Sequence, residues 1–164
     1  MKTLWSFTGM FLAISTAFMV AQEKPSGFGN LSESSGKPIE AISDEMVLDN
    51  DASVAELSGN VEIIQGELYL YADFVRVTYN DEQSDIKTLY AKDNVVVISG
   101  EDKASADEAD YDLVRGTIVL KGNANILQAG NTARAERAEI NVDTGASTLS
   151  GRVRTVLQPT EDQE

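Results

Sequence analysis

The chain has 164 residues, enough for one domain with short tails, and contains neither Cys nor His. Zinc sites of the usual kinds, cysteine nucleophiles, His-centred triads and disulfides are thereby excluded. Twenty-seven acids against 13 bases give a net charge of -14, which argues against nucleic acid as a partner and against electrostatic docking on anionic lipid.

The first segment places Lys2 before an apolar run from Leu4 to Ile14, with small residues Ser15, Thr16 and Ala17 and a second small residue at Ala21. This layout predicts an export signal over 1–21, removed from the mature protein. The other reading is a retained N-terminal anchor, although Ser6 and Thr8 interrupt a stretch near the lower limit for spanning a bilayer. Residues 22–41 carry Pro25, Gly27, Gly29, Ser32, Ser34, Ser35, Gly36 and Pro38, and predict a flexible linker. The acidic end, 160–164, predicts a disordered tail.

The domain, 42–159, repeats. Small–acidic pairs occur at Ser43–Asp44, Ala72–Asp73, Ala106–Asp107 and Ala135–Glu136, the acids 29, 34 and 29 residues apart. A second marker, Gly59–Asn60, Asp93–Asn94, Gly122–Asn123 and Gly151–Arg152, recurs at 34, 29 and 29. Two markers in one register, with a five-residue insertion near 79–85, predict stacked supersecondary units. Gly–Asn and Asp–Asn tolerate positive φ, so the second marker predicts tight turns between antiparallel strands.

Within each unit the hydrophobic period is two. Val75, Val77 and Tyr79 alternate with Arg76 and Thr78; Ala109, Tyr111 and Leu113 alternate with Asp110 and Asp112; Ala138, Ile140 and Val142 alternate with Glu139 and Asn141. After the second marker come Val61 and Ile63, Val95 and Val97, Ala124 and Ile126, and Val153. This pattern sets one face on a core and the other in water. The chain reads as all-β, with about ten or more short strands. Phe74 and Val47 break the alternation, and Val95–Val96–Val97–Ile98 is apolar on both faces, as for a strand covered on both sides or an aggregation-prone edge.

Other functions fit poorly. The acid pairs Asp44–Glu45, Asp81–Glu82 and Asp107–Glu108 fall in repeating positions, whereas a catalytic carboxylate pair is needed once; the chain is read as non-enzymatic, with no cofactor and no metal. A calcium-stabilised structural β-repeat is the alternative, since Asp49–Asn50–Asp51 and 107–112 are oxygen-rich, but neither contains the glycine-bearing calcium loop.

The segment Gly59–Asn60–Val61–Glu62–Ile63–Ile64–Gln65–Gly66, followed by Leu70–Tyr71–Ala72–Asp73–Phe74–Val75–Arg76–Val77, resembles the signature repeat of the LptA/OstA family of lipopolysaccharide-transport proteins. Ala104–Ser105–Ala106 through Tyr111, Val119–Leu120–Lys121–Gly122–Asn123–Ala124, and the ending Gly151–Arg152–Val153–Arg154–Thr155–Val156–Leu157–Gln158–Pro159 continue the resemblance over about residues 40 to 159. It implies a twisted, open β-jellyroll of antiparallel strands with a V-shaped groove. It also implies a periplasmic location, binding of lipid A acyl chains of lipopolysaccharide, and head-to-tail self-association into a bridge between inner-membrane and outer-membrane export components. A membrane-anchored relative that hands lipid to the bridge is the variant within the same class. The acyl-chain-binding residues are then the inward set Val61, Ile63, Val75, Val77, Val95, Val97, Tyr111, Leu113, Ile126, Ile140 and Val142. The basic residues Arg115, Lys121, Arg134, Arg137, Arg152 and Arg154 are the candidates for meeting lipid phosphates.

Overall fold

A computed structural model describes residue 34 and residues 36–158, except 81 and 83. The expected export signal and the tail lie outside the described residues, as does the linker up to 33. Ten strands are described: β1 (Ile39–Ile42), β2 (Glu45–Asp49), β3 (Val54–Gln65), β4 (Leu68–Tyr79), β5 (Ile86–Ser99), β6 (Asp102–Asp112), β7 (Thr117–Gln128), β8 (Asn131–Asn141), β9 (Ser147–Ser150) and β10 (Arg154–Val156). All pairs are antiparallel, and β3 to β8 neighbour one another in sequence order. At one edge β1 and β2 both pair with β3; at the other β9 and β10 both pair with β8.

The central strands are not short: β3 to β8 run 11 to 14 residues each. The reason is that the Gly–Asn and Asp–Asn pairs are not hairpin turns. They sit in mid-strand, where each long strand bends. Gly59 and Asn60 have φ of 76° and 48°, Asp93 and Asn94 62° and 55°, and Gly122 and Asn123 72° and 49°. Each pair is the site of a register shift: Ser58/Val61, Lys92/Val95 and Lys121/Ala124. Leu57 and Val61, four apart, face Val75 and Ala72, three apart, so β3, and likewise β5 and β7, carries one extra residue, a β-bulge that turns the strand. The true hairpin turns lie elsewhere, at Gly66–Glu67, Gly100–Glu101 and Ala129–Gly130 among others.

The two sequence markers are bonded to each other. Asn60 Nδ2 donates to Asp44 Oδ2 at 2.8 Å, Asn94 Nδ2 to Asp73 Oδ2 at 2.7 Å, and Asn123 Nδ2 to Asp107 Oδ2 at 2.9 Å. At the last corner Arg152 Nε donates to Glu136 Oε1 at 2.8 Å. The backbone N–H groups of Asp44 and Glu136 also donate to the carbonyls of Gly59 and Gly151. The period seen in sequence is therefore the spacing of corners along one continuous sheet.

The corners divide the sheet into two halves that fold toward each other. β2 pairs with the first half of β3 and β1 with its second half; β9 and β10 divide β8 in the same way. Even strands change alternation phase at the corner: Ala72 and Val75 are both buried, as are Ala106 and Ala109, and Ala135 and Ala138. A strand bent there keeps both halves on the concave side. The apex has little room, so its inward positions are small, and this explains Ala72, Ala106 and Ala135 as the small members of their small–acidic pairs.

Two further expectations change. The sheet starts at Ile39, three residues inside the stretch read as linker, because Ile39 pairs with Gln65. Ser34 is buried and its Oγ accepts the Glu67 N–H at 3.0 Å. The apolar run 95–98 is neither covered on both faces nor an edge. β5 is a central strand; Val95 and Val97 are buried, while Val96 and Ile98 are half-buried on the outer face opposite Tyr71 and Tyr69. Phe74 also points outward, with the Lys92 ammonium 4.9 Å from its ring centre.

Candidate functional site

The concave face of the folded sheet carries one continuous apolar cluster built from both halves. Val61, Ile63, Val75, Val77, Val95, Val97, Tyr111, Ile126, Ile140 and Val142 are all buried in it. Leu113 is half-buried and packs on its margin. The structure thus brings all eleven inward candidates together. Sequence reasoning missed Leu57, Leu70, Leu89, Ile118 and Leu120, which are equally buried. They lie before the corner in their strands, and the alternation was followed only after each marker; extending the period of two backward from the corner would have found them.

Between the free ends of the two halves, near the N-terminal edge, lies a cleft of about 480 Å³ lined by Lys37, Ile39 and Gln65 from one side and Ile86, Tyr111 and Leu113 from the other. Toward the C-terminal edge Gln128 Nε2 donates to the Gly145 carbonyl at 3.4 Å and ties the two sides together. Burial, and secondarily the Asp143 charge, push the Tyr111 phenol above its ordinary value of 10.0, so at neutral pH it lines the groove as a neutral group.

Besides the outward Tyr69, Tyr71, Phe74, Val96 and Ile98, the side chains away from the inner face are mostly polar and form ion pairs. Arg76 pairs with Glu56 at 2.8 Å, Lys121 with Asp110 at 2.6 Å, Arg115 with Asp112 and Arg137 with Glu139 at 3.4 Å. Arg152 pairs with Glu136 at 2.7 Å and Arg134 Nε donates to Asn125. None of the six basic candidates is buried in the groove. The carboxylates of Asp44 and Asp107, considered as catalytic candidates, are engaged at corners. Among the described residues no group of three or more Asp or Glu side chains is arranged to hold a metal ion.

The LptA/(LptD N-terminal domain) LPS transport protein family matches residues 39–146. The chain belongs to this family. It is 28% identical over 142 residues to the lipopolysaccharide export system protein LptA of Escherichia coli K12, covering 78% of this chain and 75% of that protein. A protein of Rhizobium meliloti is also 28% identical, over 162 residues, covering 92% of this chain and 87% of its own. The fold matches the crystal structure of LptH, described as the LptA-homologous periplasmic component of the lipopolysaccharide transport device of Pseudomonas aeruginosa. That match has a TM-score of 0.72 and 19% identity, and covers 77% of this chain and 99% of LptH. This LptA-family member is accordingly a lipopolysaccharide-transport protein and not an enzyme.

Proposed function

We propose that this LptA-family protein works in the periplasm and carries lipopolysaccharide by taking the acyl chains of lipid A between the two halves of its bent sheet. The observation that carries this reading is the apolar inner face, which runs from edge to edge of an open sheet. A lipid tail leaving a membrane needs such a surface, because each buried methylene is worth about 0.8 kcal/mol. The eleven inward residues, with Leu57, Leu70, Leu89, Ile118 and Leu120, form the lining.

Transfer over a distance needs linked copies. Both edges of the sheet are open, and each exposes apolar side chains: Ile42, Met46, Val47 and Leu48 at one, Val153, Val156 and Leu157 at the other. Unpaired edges add a strand readily. Copies joined head to tail through β10 and β1 would continue the groove and bridge inner-membrane and outer-membrane export components.

The test is crosslinking to lipopolysaccharide from photoreactive residues at Val77, Tyr111 and Ile140, with Arg76, Asp110 and Glu139 as outward controls. Crosslinks are expected from the inward set alone; crosslinks from the controls alone would overturn the groove. Light scattering over a concentration series tests the linkage, and a strict monomer at high concentration counts against it. N-terminal sequencing of the exported protein separates a free carrier from an anchored one.

A further inference from the structure

The inner face changes character along its last row. Moving outward from Ile63, Val97, Ala104 and Ile126, the next inward positions are Gln65, Ser99, Asp102 and Gln128. Gln65, Ser99 and Asp102 are only 5%, 2% and 3% exposed. The two glutamines have work: Gln65 Nε2 donates to the Lys37 carbonyl, and Gln128 Nε2 to that of Gly145. Between them, Ser99 and Asp102 face each other across the Gly100–Glu101 turn. Asp102 Oδ1 accepts the Ala129 N–H at 3.2 Å. Asp102 Oδ2 and Ser99 Oγ are buried without a hydrogen-bond partner.

A buried polar atom without a partner is costly, and more so when it carries charge. A carboxylate can only accept, while a hydroxyl can do either. A group that completed this pair would have to bring a donor. It would also have to reach the rim of an apolar groove, which describes the head of an amphiphile whose tail lies inside.

We propose that Ser99 and Asp102 form a head-group subsite at the rim of the groove that accepts a hydroxyl or amide N–H donor of the bound lipid and disfavours an anionic group there. The proposal rests on the groove reading above and adds a specificity to it. Asp102 receives the donor on Oδ2 while Oδ1 stays on Ala129. Ser99 Oγ supplies the second contact from the facing strand. The apolar lining sets how tightly tails bind; this pair sets which end of the molecule stays at the rim.

The experiment uses the full chain and three amphiphiles with the same decyl tail, below their micelle concentrations. Decyl maltoside offers sugar hydroxyls, decanamide offers amide N–H, and decyl phosphate offers an anion. The unaltered protein is expected to bind at least one donor head about tenfold more tightly than the phosphate, the scale of one charge-assisted hydrogen bond. Preference for the maltoside alone identifies a sugar hydroxyl, and preference for decanamide alone identifies an amide. Asp102→Asn keeps an acceptor for Ala129 and should bring the phosphate to within about threefold of the donor heads. Ser99→Ala, which removes one hydroxyl, should weaken the donor heads about threefold to tenfold and leave the phosphate unchanged. Melting curves confirm that both variants fold, and either variant alone suffices. If all three amphiphiles bind and neither variant shifts their ratios, the subsite is wrong and the groove stands. If none binds, the groove reading itself fails and takes the subsite with it.

Discussion

The corner bonds make a quantitative claim that two glycines can separate. Gly122 and Gly100 both have positive φ, 72° and 58°. A methyl added to Gly100 meets nothing within 4 Å, whereas one added to Gly122 would overlap Asp107 Oδ2 and lie 3.0 Å from Asp107 Cγ. Alanine in the left-handed region costs about 1–2 kcal/mol, offset by about 0.4–1 kcal/mol from a stiffer unfolded chain. Gly100→Ala should therefore cost about 1 kcal/mol. Gly122→Ala adds the expulsion of the Asp107 carboxylate from Asn123, about 1 kcal/mol for an exposed charge-assisted bond, so its total is about 2 kcal/mol. Urea denaturation reads both, and in melting the gap between the two variants is about 4 °C. In an Asp107→Ala background the clash is gone, and Gly122→Ala should fall back to about 1 kcal/mol, a coupling of about 1 kcal/mol in the double-mutant cycle. Equal costs for the two glycine variants, or strict additivity with Asp107→Ala, would refute the view that the carboxylate under each corner holds the bend.

Leu120, fully buried on the inner face of β7, should lose about 2–5 kcal/mol as Leu120→Ala, measured by the urea midpoint at constant slope. The raised Tyr111 phenol has a definite sign: the folded chain keeps its proton after the unfolded chain has released it, so the stability it protects is whole below about pH 10 and declines as pH climbs through the folded value. Urea midpoints measured from about pH 9 to pH 11 should fall less steeply for Tyr111→Phe than for the unaltered protein. If copies join through apolar edges, a net charge of -14 on each opposes them, and raising salt should strengthen association by screening. Dissociation on adding salt, seen by light scattering, would point instead to ion pairs at the junction.

Strand content and the inward face were legible because alternation is a local signal that bending does not erase within half a strand. Val75, Val77, Tyr111 and Ile140 follow directly from it. The corners were half-legible. Their recurrence was visible, but Gly–Asn is also what a hairpin turn uses, and positive φ at two consecutive residues serves both purposes. Only pairing distinguishes them, and pairing is non-local: Asn60 finds Asp44 sixteen residues back, and Asn94 finds Asp73 twenty-one back across the insertion. Ser34 and Gln65 were illegible for the same reason, since what buries them is the approach of a segment and a hairpin about thirty residues apart in the chain. The polar rim was hidden in plain alternation, because Ser99 and Asp102 fall at the ends of strands, where polar residues normally signal a turn.

The strong negative charge first argued against contact with an anionic lipid, and the fold removes most of that objection. Of the acidic side chains among the described residues, Asp102 alone is buried. The others lie on the convex face, at the corners or in connections, where water and neighbouring Lys or Arg side chains meet them. Period-two alternation does this sorting along each half strand, and the phase change at Ala72, Ala106 and Ala135 preserves it through the bend. Without that change, the second half of each even strand would turn its acids inward: Asp110 and Glu139 would occupy the positions of Tyr111 and Ile140. Net charge then describes the surface this protein shows to solvent, and the corner decides what its inner face carries. That is why the same two markers govern both the charged outer surface and the apolar lining: moving one corner by a single residue would exchange the two faces over half a strand.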